Sequence, residues 1–469
     1  MKSALSVVSA SAVDAMARVA MADPIISFPN VFILPSGSCV SGHILSVIFL
    51  FCQIDRKNKI CCIRRMNDSS PIPTSFRTSG TNLTRAKTHN HRVVLEVIRT
   101  RGPIGRTEIS EITSLSRQTV QNIVGELQSR GVVEMKAQKA RGRGHPGMTV
   151  QLKADHAFSL GFHVDRLSVT ATACDLLGQI VWQSTGTLEA ATPASANARI
   201  ITMADDFRAA EPALSARLFG VGLAAPGPFD STDAPDARAD ATTFSEFGSP
   251  ANLEALQRAL GLPVVLQNDA SAAALGEHVY GIGRSFNNFA FVQFGMGLGA
   301  GFVLNGALYP GASKNAGEIG HVIINPDGPR CSCGNPGCLE RYLSLHALCE
   351  RLELEPTAHA SVSRIESLFE AGDRDVLGWM EEVAPYMRQM INLVDMMLDP
   401  EAIVLGGIIR PDFLSALLER AAPLPCRLDG ASLTERIHIG TSGATTVALG
   451  ATAAAVDALY APSVSHLLL

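Results

Sequence analysis

Between Gly317 and Tyr342 the chain reads GEIGHVIINPDGPRCSCGNPGCLERY. No other stretch constrains the fold as tightly. His321 lies ten residues before Cys331, and Cys333 and Cys338 complete a C-x-C-G-x-x-G-C run. One imidazole and three thiolates make a tetrahedral zinc set, provided that the loop folds back on itself. Gly334 and Gly337 let it turn that tightly. Four protein ligands leave no position for a bound water, so the spacing favours a structural zinc over a hydrolytic one. The alternative is three reduced cysteines in a surface loop. The ten cysteines of the chain show no regular pairing. A disulfide scaffold is therefore disfavoured, and a reducing cytosol fits better.

At 469 residues the chain is too long for one core, and two or three domains are expected. The net charge of -5 conceals a local imbalance. Residues 82–150 carry 12 Lys and Arg against 5 Asp and Glu. A basic module joined to an acidic remainder suggests one part that binds a polyanion and another that senses or catalyses. The apolar run Ile44–Cys52 is about half of a membrane span and lacks a signal-peptide layout, so no membrane segment is expected. Residues 1–81 hold no sustained amphipathic period. They read either as a disordered extension or as sequence upstream of a natural start at Met66.

The basic module, residues 82–150, has the pattern of three helices and a wing. HRVVLEVIRTRG sets Val93, Val94, Val97 and Ile98 on one face before Gly102-Pro103. GRTEISEITSLS places Ile109 and Ile112 inward. SRQTVQNIVGELQSRG opens on the N-cap residue Ser116 and repeats apolar residues at Val120, Ile123, Val124 and Leu127, with Gly131 as the stop. A tight turn before a third helix makes a winged helix-turn-helix candidate. Its first turns expose Arg117, Gln118, Thr119, Gln121 and Asn122, which can donate to and accept from base edges. Two strands around a basic loop follow, with Arg141 and Arg143 able to track a phosphate backbone or enter a minor groove. The competing reading is a small helical domain with a solvated polar face. The wing and the charge favour DNA.

From about residue 155 to 469 strands and helices alternate as α/β architecture. LPVVLQNDASAAALGE is a strand feeding a helix, NFAFVQFGMGLGAGFVLNG a glycine-rich hairpin, and PEAIVLGGII a late buried strand. No fixed-period repeat is evident. Asn268 and Asp269 fall at a strand end, where such folds present ligand groups. Glu318 and Glu340 flank the metal candidates. Together with His321 they form a set rich in acceptors, suited to neighbouring hydroxyls and so to a sugar.

These stretches, with LDPEAIVLGG, resemble the ROK family (repressors, open reading frames, kinases) from about residue 90 onward. The resemblance implies an actin-like domain of two lobes around a sugar cleft. It implies sugar contacts from Asn268, Asp269, Glu318, His321 and Glu340, and a zinc held by His321, Cys331, Cys333 and Cys338. His321 would serve both through its two ring nitrogens. Homodimers or homotetramers are the family habit. In family kinases the residue at Asp269 is the base, and a D-x-G-G-T-K stretch cradles phosphate. Here His163–Ser168 reads HVDRLS, and a carboxylate at Asp165 would repel phosphate. In GMGLGAG the glycines remain, attributed to the positive φ of a hairpin, but Met296 replaces a hydroxyl residue. The expectation is a cytoplasmic, non-enzymatic, sugar-responsive repressor released from operator DNA by a monosaccharide. The alternative is an ATP-dependent sugar kinase with an appended DNA-binding module.

Overall fold

The computed structural model describes residues 83–137, 148–165, 167–190, 192–227, 229, 246–356 and 358–460. Its first helix, α1 (Leu83–Arg101), buries Val94, Leu95 and Ile98. Helices α2 (Arg106–Thr113) and α3 (Arg117–Ser129) pack beside it. Ser116 caps α3 by accepting from the Thr119 N–H at 3.1 Å, and Val120, Ile123, Val124 and Leu127 are buried as the spacing predicts. A three-stranded antiparallel sheet completes the module. In it β1 (Ile104–Gly105) and β2 (Val133–Ala137) flank β3 (Met148–Leu152).

Three expectations change here. Ile112 is 38% exposed rather than inward, because α2 ends at Thr113 and its last turn faces solvent. The buried face of α1 is centred on Leu95, so Val93 and Val97 are only half-buried. The two-residue strand β1 is too short to leave a period in the sequence. Arg141, Arg143 and residues 1–81 lie outside the described residues.

The remainder is built twice to one plan. The antiparallel strands β4 (Phe158–Asp165), β5 (Ser168–Asp175) and β6 (Ile180–Thr187) come first. Helices α4 (Pro193–Ala210) and α5 (Pro212–Ser215) cross over to β7 (Leu218–Ala225), which is parallel to β4. Helix α6 (Pro250–Leu260) then crosses to β8 (Val264–Asn268), parallel to β7. The sheet order is β6-β5-β4-β7-β8. After α7 (Asp269–Val279), the strands β9 (Phe289–Phe294), β10 (Leu298–Leu304) and β11 (Ala307–Leu308) repeat the antiparallel part. Helices α8 (Leu345–Arg351), α9 (Ala358–Glu370) and α10 (Arg374–Leu398) lead to β12 (Ala402–Gly407). Helix α11 (Pro411–Arg420) leads to β13 (Ile437–Ser442), and α12 (Thr446–Tyr460) follows. The order β11-β10-β9-β12-β13 matches that of the first sheet. Parallel neighbours require such crossovers, which is why helices follow the third and fourth strands of each half before the next strand can pair.

Helices α7 and α12 leave the last strands of their respective sheets and pack on each other. Small residues allow this. A methyl on Gly276 would lie 3.0 Å from the Gly450 Cα, and one on Gly450 would overlap the Ala272 carbonyl oxygen. Residues 79–469 form one unit, and the core of the N-terminal module continues into the body through Ala157, Leu176 and Phe219. No helix among the described residues is long and apolar enough to cross a membrane.

Candidate functional site

Where the two halves meet, β8 runs into α7 at Asn268-Asp269. Asn268 is the N-cap, and its Oδ1 accepts from the N–H groups of Ala270 at 2.9 Å and Ser271 at 3.4 Å. That use of the oxygen orients the amide nitrogen away from the helix, as a donor. A methyl on Gly227, in the turn after β7, would lie 3.2 Å from the Asn268 Nδ2 and 4.0 Å from the Glu318 Oε1. The first and second halves therefore converge on one spot.

Asp269 is partly exposed into this space but deeply set. Burial pushes its carboxyl up to about 7, against the lowering effect of the Ala270 N–H; Glu318, Asp165 and Glu340 raise it further. The Ala270 N–H to Asp269 Oδ1 distance is 2.7 Å.

Glu318 is placed by Gly317. That glycine has φ +96°, and any Cβ there would overlap the Ala300 carbonyl oxygen of β10. The Ala300 N–H donates to the Gly317 carbonyl at 2.8 Å, so the GE pair is fixed to the second sheet. Glu340 reaches the glycine hairpin, where its Oε2 accepts from the Leu298 N–H at 3.1 Å. A methyl on Gly297 would come within 2.7 Å of that oxygen. This corrects the sequence reading of the loop. None of Gly295, Gly297, Gly299 and Gly301 has a positive φ. Gly297, Gly299 and Gly301 are small because Glu340 and α7 approach closely: a methyl on Gly301 would meet the Ala274 Cβ at 2.5 Å.

His321 joins the acidic group to the cysteines. Its Nε2 lies 3.8 Å from the Glu318 Oε2, and its Nδ1 is 3.5 Å from the Cys331 Sγ. The Cys333 and Cys338 sulfurs are 3.4 Å apart, and all four ligand atoms lie within 4.8 Å of one another. A tetrahedral zinc with bonds of about 2.0–2.3 Å needs ligand separations of roughly 3.5–3.8 Å, so the donor set fits a zinc-sized ion. Burial pushes the Cys338 thiol up to about 12, with its neighbours adding to the rise, while the Asn335 N–H and the adjoining thiols hold Cys333 below its usual value despite burial. Three thiolates this close repel one another, and a dication removes that conflict. Ile323 pairs with Cys338 across the knot and keeps its two ends together.

The stretch HVDRLS ends β4 and opens β5, with Arg166 outside the described residues. His163, Asp165, Ser168 and Thr170 line a cavity of about 70 Å³ whose other wall includes Ser363, Glu366 and Ile408. Two carboxylates thus belong to the wall of a small space. On α3, Arg117, Gln118, Gln121 and Asn122 are exposed, and the Gln118 Nε2 donates to the Asn122 Oδ1 at 2.9 Å. Thr119 is half-buried, with its hydroxyl 2.9 Å from that of Ser116. The segment 238–250 lies mostly outside the described residues, and its Phe247 belongs to the first half's core.

Sequence reasoning gave no role to Gly227 or Glu277. Glu277, the last residue of the quoted QNDASAAALGE, is 1% exposed. Its Oε2 accepts from the Ile282 N–H at 3.0 Å and its Oε1 from the Thr441 N–H, tying α7 to the turn after it and to β13. A buried carboxylate spent on backbone N–H groups leaves no periodic trace that could have revealed it.

A family profile described as ROK family matches residues 167–423. The xylose repressor of Bacillus subtilis (strain 168) is 30% identical over 328 residues, covering 70% of this chain and 84% of its own length. The DNA-binding transcriptional repressor Mlc of Escherichia coli (strain K12) is 26% identical over 362 residues, covering 73% of this chain and 88% of that protein. The crystal structure of a ROK family transcriptional regulator, a homologue of the E. coli Mlc protein, superposes with a TM-score of 0.61 at 24% identity, over 82% of this chain and 98% of the other. This chain belongs to the ROK family. Its fold is that of the ROK regulator, a duplicated α/β body preceded by the small helical module.

Proposed function

We propose that the protein is a sugar-responsive, DNA-binding transcriptional repressor, released from its operator by a monosaccharide. One observation carries the choice between sensor and kinase. The acceptor-rich residues Asn268, Asp269, Glu318, His321 and Glu340 lie near one another, whereas the stretch that matches the family's first phosphate cradle lines a cavity of about 70 Å³ together with Glu366. The carboxylates of Asp165 and Glu366 in that wall would repel the phosphates of a nucleoside triphosphate. A kinase reading has one point in its favour: a carboxyl near 7 suits a general base. A base there activates a sugar hydroxyl only if a phosphoryl donor is held beside it, and the acidic lining where the first phosphate cradle is expected argues against one. The named relatives that are repressors support the same choice.

In this reading residues 82–150 are a winged helix-turn-helix domain and residues 155–469 the sugar-binding domain. The Asn268 amide would donate to a sugar oxygen, while Asp269, Glu318 and Glu340 accept from hydroxyls. His321 would face the sugar through Nε2. Zinc bound by His321, Cys331, Cys333 and Cys338 would hold that wall rigid. Helix α3 would enter the major groove with Arg117, Gln118, Thr119, Gln121 and Asn122 at base edges, and Arg141 and Arg143 would reach the backbone or minor groove. A homodimer or homotetramer in the cytoplasm would bind an inverted repeat. Sugar control requires that the sugar and the operator prefer different states of the protein.

The test is fluorescence anisotropy with DNA from upstream of the protein's own coding sequence, with and without a panel of monosaccharides. One sugar should weaken binding, and Asp269→Ala should abolish that response while keeping DNA affinity. ATP consumption dependent on a sugar would overturn the reading in favour of the kinase.

A further inference from the structure

Helix α7 has its two ends in different places. Its N-terminus is the Asn268-Asp269 turn of the cleft. Its C-terminus abuts the N-terminal module. There the Arg99 Nη1 of α1 donates to the Val279 carbonyl at 3.4 Å. Arg284, in the turn after α7, donates through Nη2 to the carbonyls of Arg99 and Thr100 at 2.9 and 3.0 Å. These are among the last carbonyls of α1, which lack partners inside the helix. Arg284 therefore caps the helix that leads into the module's core. Arg99 is 5% exposed, and its remaining nitrogens fork onto Glu96 at 2.9 and 2.5 Å.

The parts between are stiff. Ala270–Val279 are all buried, and α12 packs along the helix. Glu277 holds the turn that carries Arg284 by accepting from the Ile282 N–H, so Arg284 moves with α7. Phe219 packs on the module's core and also on the cluster of Leu275, Val279 and Ala453. A helix of 11 residues is ~16 Å long, so one rigid rod spans from cleft to module.

Resting on the reading of the cleft as the effector site, we propose that α7 is the element that couples sugar to DNA, and that Arg284 is its contact on the DNA-binding module. Sugar contacts at Asn268 and Asp269 displace the helix, and the grip on the Arg99 and Thr100 carbonyls passes the displacement to α1. Arg284 is a positioning residue and touches neither ligand.

The test uses the full chain and three measurements: operator affinity without sugar, sugar affinity, and operator affinity at saturating sugar. In the wild type the effective monosaccharide of the panel should weaken operator binding by about 5- to 150-fold. Arg284→Ala should keep both separate affinities while the sugar effect falls below about 2-fold. Arg99→Lys, which keeps the charge but loses the fork and the reach to Val279, should lose part of the effect. Hydrogen exchange supplies a readout that a merely structural role would not move. Sugar should change exchange at the amides of residues 99–102 in the wild type and leave it unchanged in Arg284→Ala. An Arg284→Ala protein that keeps the full sugar effect overturns the proposal, as does one that is folded but no longer binds operator without sugar. A wild type that binds operator but answers no sugar removes the effector reading itself, and the coupling with it.

Discussion

Sugar binding should release a proton, and the amount follows from Asp269. In the free protein its carboxyl stands at about 7 rather than 3.8, chiefly through burial, with Glu318, Asp165 and Glu340 contributing. Sugar hydroxyls that donate to the carboxylate favour its ionised form and lower that value. If they return it to near the ordinary range, binding releases about 0.9 proton at pH 6, about 0.5 at pH 7 and about 0.1 at pH 8. A return of only one unit still makes affinity about ten-fold higher at pH 9 than at pH 5. Titration calorimetry in buffers of different ionisation heat measures the released protons directly. The same shift bears on stability, with a definite sign. The folded value lies above the unfolded one, so the folded state holds the proton more tightly, and stability falls as pH rises from about 4 to 7. The loss is at most about 4 kcal/mol, since one unit is about 1.4 kcal/mol. Asp269→Asn should therefore be more stable than wild type to urea at pH 8, with the gap closing by pH 5. Heats at pH 6–7 that do not depend on the buffer, or equal proton release from Asp269→Asn, would refute the reasoning.

Gly450→Val should destabilise the fold by about 1–3 kcal/mol, since its side chain must enter the Ala272 carbonyl; an unchanged urea midpoint would contradict the close crossing of α7 and α12. Purified protein should carry one zinc per chain by elemental analysis, and Cys338→Ser should lose it together with most of its sugar affinity. Retention of sugar affinity by that metal-free variant would separate the knot from the cleft. Arg117→Ala should lower operator affinity by about 1–3 kcal/mol and relax specificity at one base pair; wild-type binding would remove that side chain from the base edges.

Local chemistry fixed much of this molecule in advance. The cap at Ser116 and the apolar stripe of α3 follow from helical spacing and need no distant partner. The glycine-rich hairpin, the strand that feeds α7 and the His-Cys cluster likewise arise between residues close in sequence. What tertiary structure alone decided is pairing at a distance. Two halves share one strand order although no repeat is visible, because topology depends on which apolar face meets which and not on residue identity. The sequence reading took the hairpin glycines for turn formers, yet it is the approach of Glu340, 43 positions beyond Gly297, that requires one of them to be small. The rise of the Asp269 carboxyl likewise depends on burial and on Glu318 and Glu340, which the second half brings against the end of the first. Contact between Arg284 and the end of α1 spans 185 positions, and no local propensity encodes it.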